Sequence, residues 1–386
     1  MNRVTVFNPE HDLALANGDK HFIAPKNIRE MAKDLTPLLE VMDDEDIMVW
    51  GWDHSIKSHL LRMGIASDML PTDEALTKLR TCSERQSAHH LLRAFHADHP
   101  DGLYTGESIL AHSIDDIAAY ATQHGHIILK DPLSSSGKGL RHVKEHQEAH
   151  LSPPYEGGLE APRCQHPLTY REGWGGSISS WANALIKRHG YLTAEPFYDK
   201  AQDFAMEFCI RDGQCHFIGY SLFNTNHHGR YESNLLMADE KIENLLAQYV
   251  PHSALHEVRD WVISHNNHFI PTEWNTTKHP LYFGIDMMIV ETTANSRFAL
   301  HPCVEINLRL NMGIIAHEVY RKLLVPGTEG TFHVTAFPTD EAAHQFHQEH
   351  TTKHPPVCRD GKILSGYHPL TSIHSHTHHH AYVICR

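Results

Sequence analysis

The stretch ILKDPLSSSGKGLRHV, residues 128–143, runs from an apolar strand that ends in a lysine into three serines and two glycines. Such a turn carries little apolar surface and a surplus of backbone N–H groups, and it suits a phosphate. It is not a Walker loop, because Gly137-Lys138 is followed by Gly139 and Pro132 stands where the first glycine belongs. It is not a dinucleotide fingerprint either, since position 142 is His142 rather than glycine. A protein kinase puts its glycine loop before the strand lysine; here the lysine comes first.

The chain around this turn has 386 residues, enough for two or three domains. Hydrophobic residues make up 41% and charged residues 21%, the balance of a soluble globular protein. No apolar run approaches a membrane span, and the start MNRVTVFNPEHD reads as a first strand rather than a signal peptide. Seven scattered cysteines without a CxxC pair fit a reducing cytoplasm and free thiols. The net charge of −14, with no concentrated Lys/Arg tract, argues against nucleic acid as a main partner. Thirty-seven histidines are unusual; protonating all of them would swing the charge from −14 to +23 between about pH 7 and 5.

Short strands are expected at residues 3–7 and 47–50, with a helix over 27–41 between them. Ser83 is expected to cap a helix over 83–96, and Ser113 another over 114–123. Three strands follow in YLTAEPFYD, DFAMEFCIRDG and QCHFIGYSLF, the last two joined by an Asp-Gly turn at 211–214. GIDMMIV and PCVEIN read as a further strand pair, and the end from about 331 as strand, helix and two strands. HSHTHHH precedes the last apolar run without a fixed metal-ligand spacing.

Strand lysine first, glycine hairpin second, resembles the ATP-grasp superfamily. TAEPFYDKAQDFAMEF resembles its hinge, and the resemblance assigns Glu195, Pro196 and Phe197 to adenine and Asp203, eight residues after Glu195, to the ribose. GIDMMIV with HPCVEINLRLNMG resembles the paired magnesium strands. Glu305 and Asn307 are two apart and so share one strand face; Asp286 sits the same way among apolar residues, where a carboxylate needs a cation. Hard oxygen ligands of this kind suit Mg²⁺. The resemblance covers roughly residues 80–325 and implies an ATP-grasp fold, α/β overall and α+β in its catalytic part.

It further implies an N-terminal α/β domain over 1–80, a small subdomain with glycine loop and lid over 81–190, and a large subdomain over 191–330. A histidine-rich β/α extension over 331–386 lies outside it. Lys130 and Arg85 would neutralise phosphates, Arg85 replacing the usual lysine; Ser134, Ser135, Ser136, Gly137, Lys138 and Gly139 would fold over them; Arg309 would meet the transferred phosphate. The implied activity is ADP-forming ligation of a small-molecule or peptide carboxylate to an amine, with ATP and two Mg²⁺ ions, in a cytoplasmic enzyme compatible with a homodimer. Arg230, with His227 or His228, is a candidate for the substrate side, as is the loop carrying Asn8, Glu10, His11 and Asp12. A phosphotransferase using the same nucleotide site, and a non-catalytic histidine-rich metal-binding protein, are the alternatives.

Overall fold

The computed structural model describes residues 3–43, 45–100, 103–134, 139–144, 175–225, 231–292 and 297–386. The chain opens with two short strands, Val4–Val6 and Ile47–Val49, paired in parallel. The helix expected over 27–41 is split: an α-helix covers Lys26–Leu35 and a 3-10 turn continues over Thr36–Val41. Pro37 explains the change, since it has no N–H to continue the α-helical ladder. Ser83 also departs from expectation. It closes the preceding helix, Asp73–Cys82, by donating from N and Oγ to the Leu79 carbonyl, and the next helix is Gln86–Asp98.

The small antiparallel sheet has the strand order Ile109–Ala111, Leu192–Pro196, His126–Lys130, Leu140–Lys144. Two helices cover it, Ile114–His124 and Gly175–His189. The first carries the expected cap, with Ser113 and Asp116 satisfying each other's backbone N–H groups. Ile117, Ala121, Ile127, Leu129, Ala182 and Leu192 close a core between helices and sheet.

The large antiparallel sheet has the order Phe298–Asn307, Leu281–Glu291, Lys200–Arg211, Gln214–Ser221. The Asp212-Gly213 turn joins the last two, both residues at positive φ as the tightest hairpins require. One face of this sheet is apolar. Phe204, Met206, Phe208, Phe283, Ile285 and Met287 pack there with Trp261, Leu255 and residues of the N-terminal part such as Leu76 and Phe95. The other face is polar, in three cross-strand rows: Asp203 with Met288 and His301, Ala205 with Asp286 and Glu305, Glu207 with Gly284 and Asn307.

A third sheet of six strands joins the C-terminal segment to the middle of the chain, because Gly330–Ala336 pairs with Tyr231–Leu236 as well as with His379–Cys385. After the helix Asp340–Lys353 there are three strands rather than the two expected: Val357–Arg359, Lys362–Pro369 and His379–Cys385. The histidine run takes part in this packing. His380 is fully buried between the Tyr367 and Thr371 hydroxyls, and the backbone N–H groups of His378 and His379 donate to Asp34. Among the described residues no three His, Cys, Asp or Glu side chains converge as a metal site. Among the same residues no helix is long and apolar enough to cross a membrane, and six cysteines are free thiols.

Candidate active site

Lys130 ends its strand on the small sheet and Glu195 lies on the adjacent strand, opposite Ile128. The side chains meet on one face at 2.5 Å, both almost fully buried, and the Lys130 ammonium lies 3.4 Å from the Val304 carbonyl of the large sheet. Arg85 reaches the same gap from the junction of two helices. Its guanidinium donates to the Asp131 carbonyl at 3.1 Å and pairs with Glu305 at 3.1 Å. Ser83, Ser134 and Leu133 stand alongside, in an open cleft of about 490 Å³.

On the large sheet Asp286 and Glu305 are direct cross-strand partners. Burial first, then the Glu305 carboxylate, pushes Asp286 up to about 7. Asn307 donates to Asp286 at 3.3 Å and accepts from Arg309 at 3.1 Å. Two adjacent carboxylates, with a carboxyl this costly to ionise alone, and a neighbouring carboxamide whose oxygen here accepts from Arg309 are a donor set of the kind that suits Mg²⁺.

The N-terminal loop also enters this cleft. Asp12 takes both ends of the Arg309 guanidinium at 2.9 Å, a bidentate pair. Burial would raise Asp12, but Arg309 more than offsets it and holds the carboxyl below its usual range. His11 lines the cleft and is held by Asp53 at 3.0 Å, while Asp53 caps the helix His54–Arg62. Asn8 makes a reciprocal pair with the backbone of Gly51 that fixes the loop. Glu10 precedes the helix His11–Asn17 and makes no side-chain cap.

The other expected residues lie around this cleft as follows. The Phe197 N–H donates to the His126 carbonyl, and Pro196 has no N–H. At these two positions the hinge therefore has no free backbone N–H. The Phe197 ring is 44% exposed and stacks on His126 at 4.2 Å. Asp203 lies on the polar face, one row from Asp286, and pairs with Lys200. Gly139 keeps a positive φ and approaches Ser134 so closely that a Cβ would stand 2.7 Å from it. Ser135, Ser136, Gly137, Lys138, Arg230, His227 and His228 lie outside the described residues.

Two polar-face residues were not anticipated. Glu207 is 1% exposed, accepts from Asn311 at 2.7 Å, and is raised by burial to about 8. Gly284 and Gly313 leave its room, since a Cβ at either would run into its carboxylate. His301, on the Asp203 row, is fully buried. Each had a signal in sequence: a lone ionisable residue inside an apolar strand.

Two antiparallel sheets thus face one cleft, with the lysine and hinge acid on the small one and the acid pair and arginine on the large one. This is the mixed arrangement, α+β in its central part, that the sequence led us to expect.

No family model matches the chain, and no curated protein matches it. Solved structures similar to this chain include biotin carboxylase from Campylobacter jejuni in a β-γ-ATP complex. That match has 11% identity and a TM-score of 0.49, over 98% of this chain and 80% of that one. N5-carboxyaminoimidazole synthetase from Staphylococcus aureus matches at 13% identity and TM-score 0.45, over 100% and 87%. N5-carboxyaminoimidazole synthase from Aspergillus clavatus, with ADP and 5-aminoimidazole ribonucleotide, matches at 10% identity and TM-score 0.43, over 88% and 76%.

Proposed function

We propose that the protein is an ATP-dependent ligase that activates a small-molecule carboxylate as an acyl phosphate and joins it to an amine. The observation that carries this reading is the single cleft in which Arg85 and Arg309 meet Glu305 and Asn307, with Asp286 beside them and Lys130 behind. Cations and acids in such proximity suit a polyphosphate together with a divalent metal.

In this reading Lys130 and Arg85 hold the charge of the non-transferred phosphates, and Arg309 meets the phosphoryl group as it moves to the substrate carboxylate. Asp286, Glu305 and Asn307 would hold Mg²⁺, which screens phosphate charge when bound. Glu195 keeps Lys130 aimed at the cleft, and Asp12 does the same for Arg309. The substrate carboxylate attacks the γ-phosphorus and ADP leaves; the amine then attacks the acyl carbon, the C–O bond to phosphate breaks, inorganic phosphate leaves and the amine's proton passes to the released phosphate or to water. Two metal ions, the domain limits 1–80, 81–190, 191–330 and 331–386, a homodimeric state and a cytoplasmic location belong to the same proposal. So do the roles given to Asp203 at the ribose and to Ser134–Gly139 and Arg230.

A thermal shift tests the nucleotide site. A non-hydrolysable ATP analogue at 100 times its dissociation constant should stabilise the wild type by about 2.7 kcal/mol with Mg²⁺ present. Glu305→Ala should show no magnesium-dependent shift. No shift in the wild type sinks the reading. Trapping the acyl phosphate with hydroxylamine across a panel of acids then separates ligation from simple phosphoryl transfer.

A further inference from the structure

Two loops leave the carboxyl ends of the parallel strands Val4–Val6 and Ile47–Val49, where α/β folds build ligand sites. They meet over one histidine. Asn8 on the first loop donates to the Gly51 carbonyl on the second and accepts the Gly51 N–H. Asp53 on the second loop holds His11 Nδ1 on the first at 3.0 Å. Gly51 leaves room for the ring, since a Cβ there would stand 2.4 Å from it. His11 is 1% exposed and forms part of the cleft wall, together with Asp12 and Arg309. The phosphate and magnesium roles given above make no use of the His11–Asp53 pair.

Asp53 holds this ring in one state. Its other oxygen accepts from the Ser55 N–H at 2.8 Å, the Ser55 hydroxyl at 2.6 Å and the Ile56 N–H at 2.9 Å. Burial would raise the Asp53 carboxyl, but the bonds from His11 and Ser55 more than offset it and keep it an ionised acceptor. The neutral imidazole therefore carries its proton on Nδ1, and Nε2 keeps a lone pair. With Nδ1 engaged, Nε2 is the nitrogen left for a ligand in the cleft. A histidine oriented by a carboxylate in this way is built for proton transfer. It also stands beside the proposed chemistry: Asp12, the next residue, clamps Arg309 at 2.9 Å, and Arg309 donates to Asn307. The other charges that bear on the ring are Glu10 and Asp12, with Arg85 and Arg309 beyond Asp12.

We propose that His11, oriented by Asp53, is the base that frees the acceptor amine, and that this acceptor reaches the site as a primary ammonium ion. The proposal rests on the ligase reading given above. Such ions lose their proton only at about pH 8 to 10, and a protonated nitrogen has no lone pair with which to attack. His11 Nε2 takes one N–H proton, the N–H electron pair becomes the lone pair of the free amine, and Asp53 balances the imidazolium. The amine then attacks the acyl carbon and the C–O bond to phosphate breaks. The second proton lost from nitrogen goes with the phosphate or to water, and His11 returns its own to solvent. Asp53 touches no substrate and acts as a positioning residue.

The choice of acceptor tests this on the whole chain. Hydroxylamine is mostly uncharged at neutral pH and attacks without a base, whereas methylamine, ethanolamine and the common amino acids arrive protonated. With ATP, magnesium and an acid that yields hydroxamate, hydroxamate and amide are both measured by mass spectrometry. His11→Gln should lower the ratio of amide to hydroxamate about a hundredfold. Asp53→Asn, which lets the ring take the wrong tautomer, should lower it as well. Added imidazole should restore part of the ratio in His11→Ala, where the ring is missing. Each ratio is taken within one protein, so a variant that folds poorly loses both products and keeps its ratio. The proposal is overturned if His11→Gln keeps the wild-type ratio, as a purely structural histidine would. Wild type that makes hydroxamate but amide with none of these amines also overturns it. Wild type that makes no hydroxamate from any acid brings down the ligase reading, and this one with it.

Discussion

Charged and neutral polar groups around the cleft are handled in opposite ways. Toward the metal row, each arginine already holds a carboxylate: Arg85 on Glu305 and Arg309 on Asp12. On the small sheet, Lys130 does the same with Glu195. Ser134 on the cleft wall and, toward the hinge, His301, Thr193 and Tyr120 keep neutral polar atoms buried with no partner. The contrast follows from cost. An unpaired buried charge is prohibitive, so the ions must neutralise one another before a ligand arrives. An unpaired neutral group is only expensive, and a site can carry a few where a ligand will later complete them. Four experiments break or sharpen this contrast.

The largest effect belongs to Lys130→Ala. It leaves Glu195 buried beside an empty position, and breaking such a pair costs about 3–5 kcal/mol. Urea unfolding without ligand should show a midpoint well below wild type. The double variant Lys130→Met with Glu195→Leu should recover most of it, because it removes both charges. A single variant as stable as wild type would mean that the pair does not hold the ligand-free site together.

Glu207 comes next, and its effect is in pH. Its folded value of about 8 lies above its ordinary value. The stability that its protonated form contributes is therefore complete below about pH 4.5 and is lost as pH rises through 8. Glu207→Gln mimics the protonated acid and does not titrate. Between pH 5 and 9 the wild type should lose stability relative to Glu207→Gln, by up to about 4 kcal/mol. Parallel profiles for the two proteins would show that Glu207 ionises without strain. Using the difference between them cancels the many histidines that titrate over the same range.

Asp12 and Arg309 sit nearer solvent, with side chains 25% and 15% exposed, and screening reduces what their pairing contributes. A double-mutant cycle with Asp12→Asn and Arg309→Gln should give a coupling energy of about 1–2 kcal/mol. A cycle closing at zero would detach the N-terminal loop from the site.

Much of the metal end was legible in sequence because it is local. Alternation alone puts Glu305 and Asn307 on one face, and the Asp-Gly pair at 212–213 sets the hairpin that leads into its sheet. What alternation cannot give is register between strands distant in sequence. That Asp286 faces Glu305, or that Gly284 opens space for Glu207, depends on pairings across many residues. Asp12 on Arg309 spans almost the whole chain. Ser83 misled for a different reason. A serine between two helical runs can cap either one, and here the hydroxyl reaches back to Leu79 instead of forward. The continuity of the C-terminal strands with Tyr231–Leu236 was hidden likewise, since edge strands carry no label for their neighbour.

Phe197 should give the smallest effect and the sharpest test of where the base is read. Its ring is an aromatic on the hinge, the kind of residue that sequence assigns to a base. Yet it is 44% exposed and lies flat against His126. Its N–H donates to the His126 carbonyl whatever the side chain is, so truncation leaves the hinge register intact. Phe197→Ala should change stability by no more than about 0.5 kcal/mol, as an exposed surface substitution does. Nucleotide affinity, read by calorimetric titration, should stay at the wild-type value. If Phe197→Ala weakened the nucleotide tenfold, the base would be held against the outer hinge.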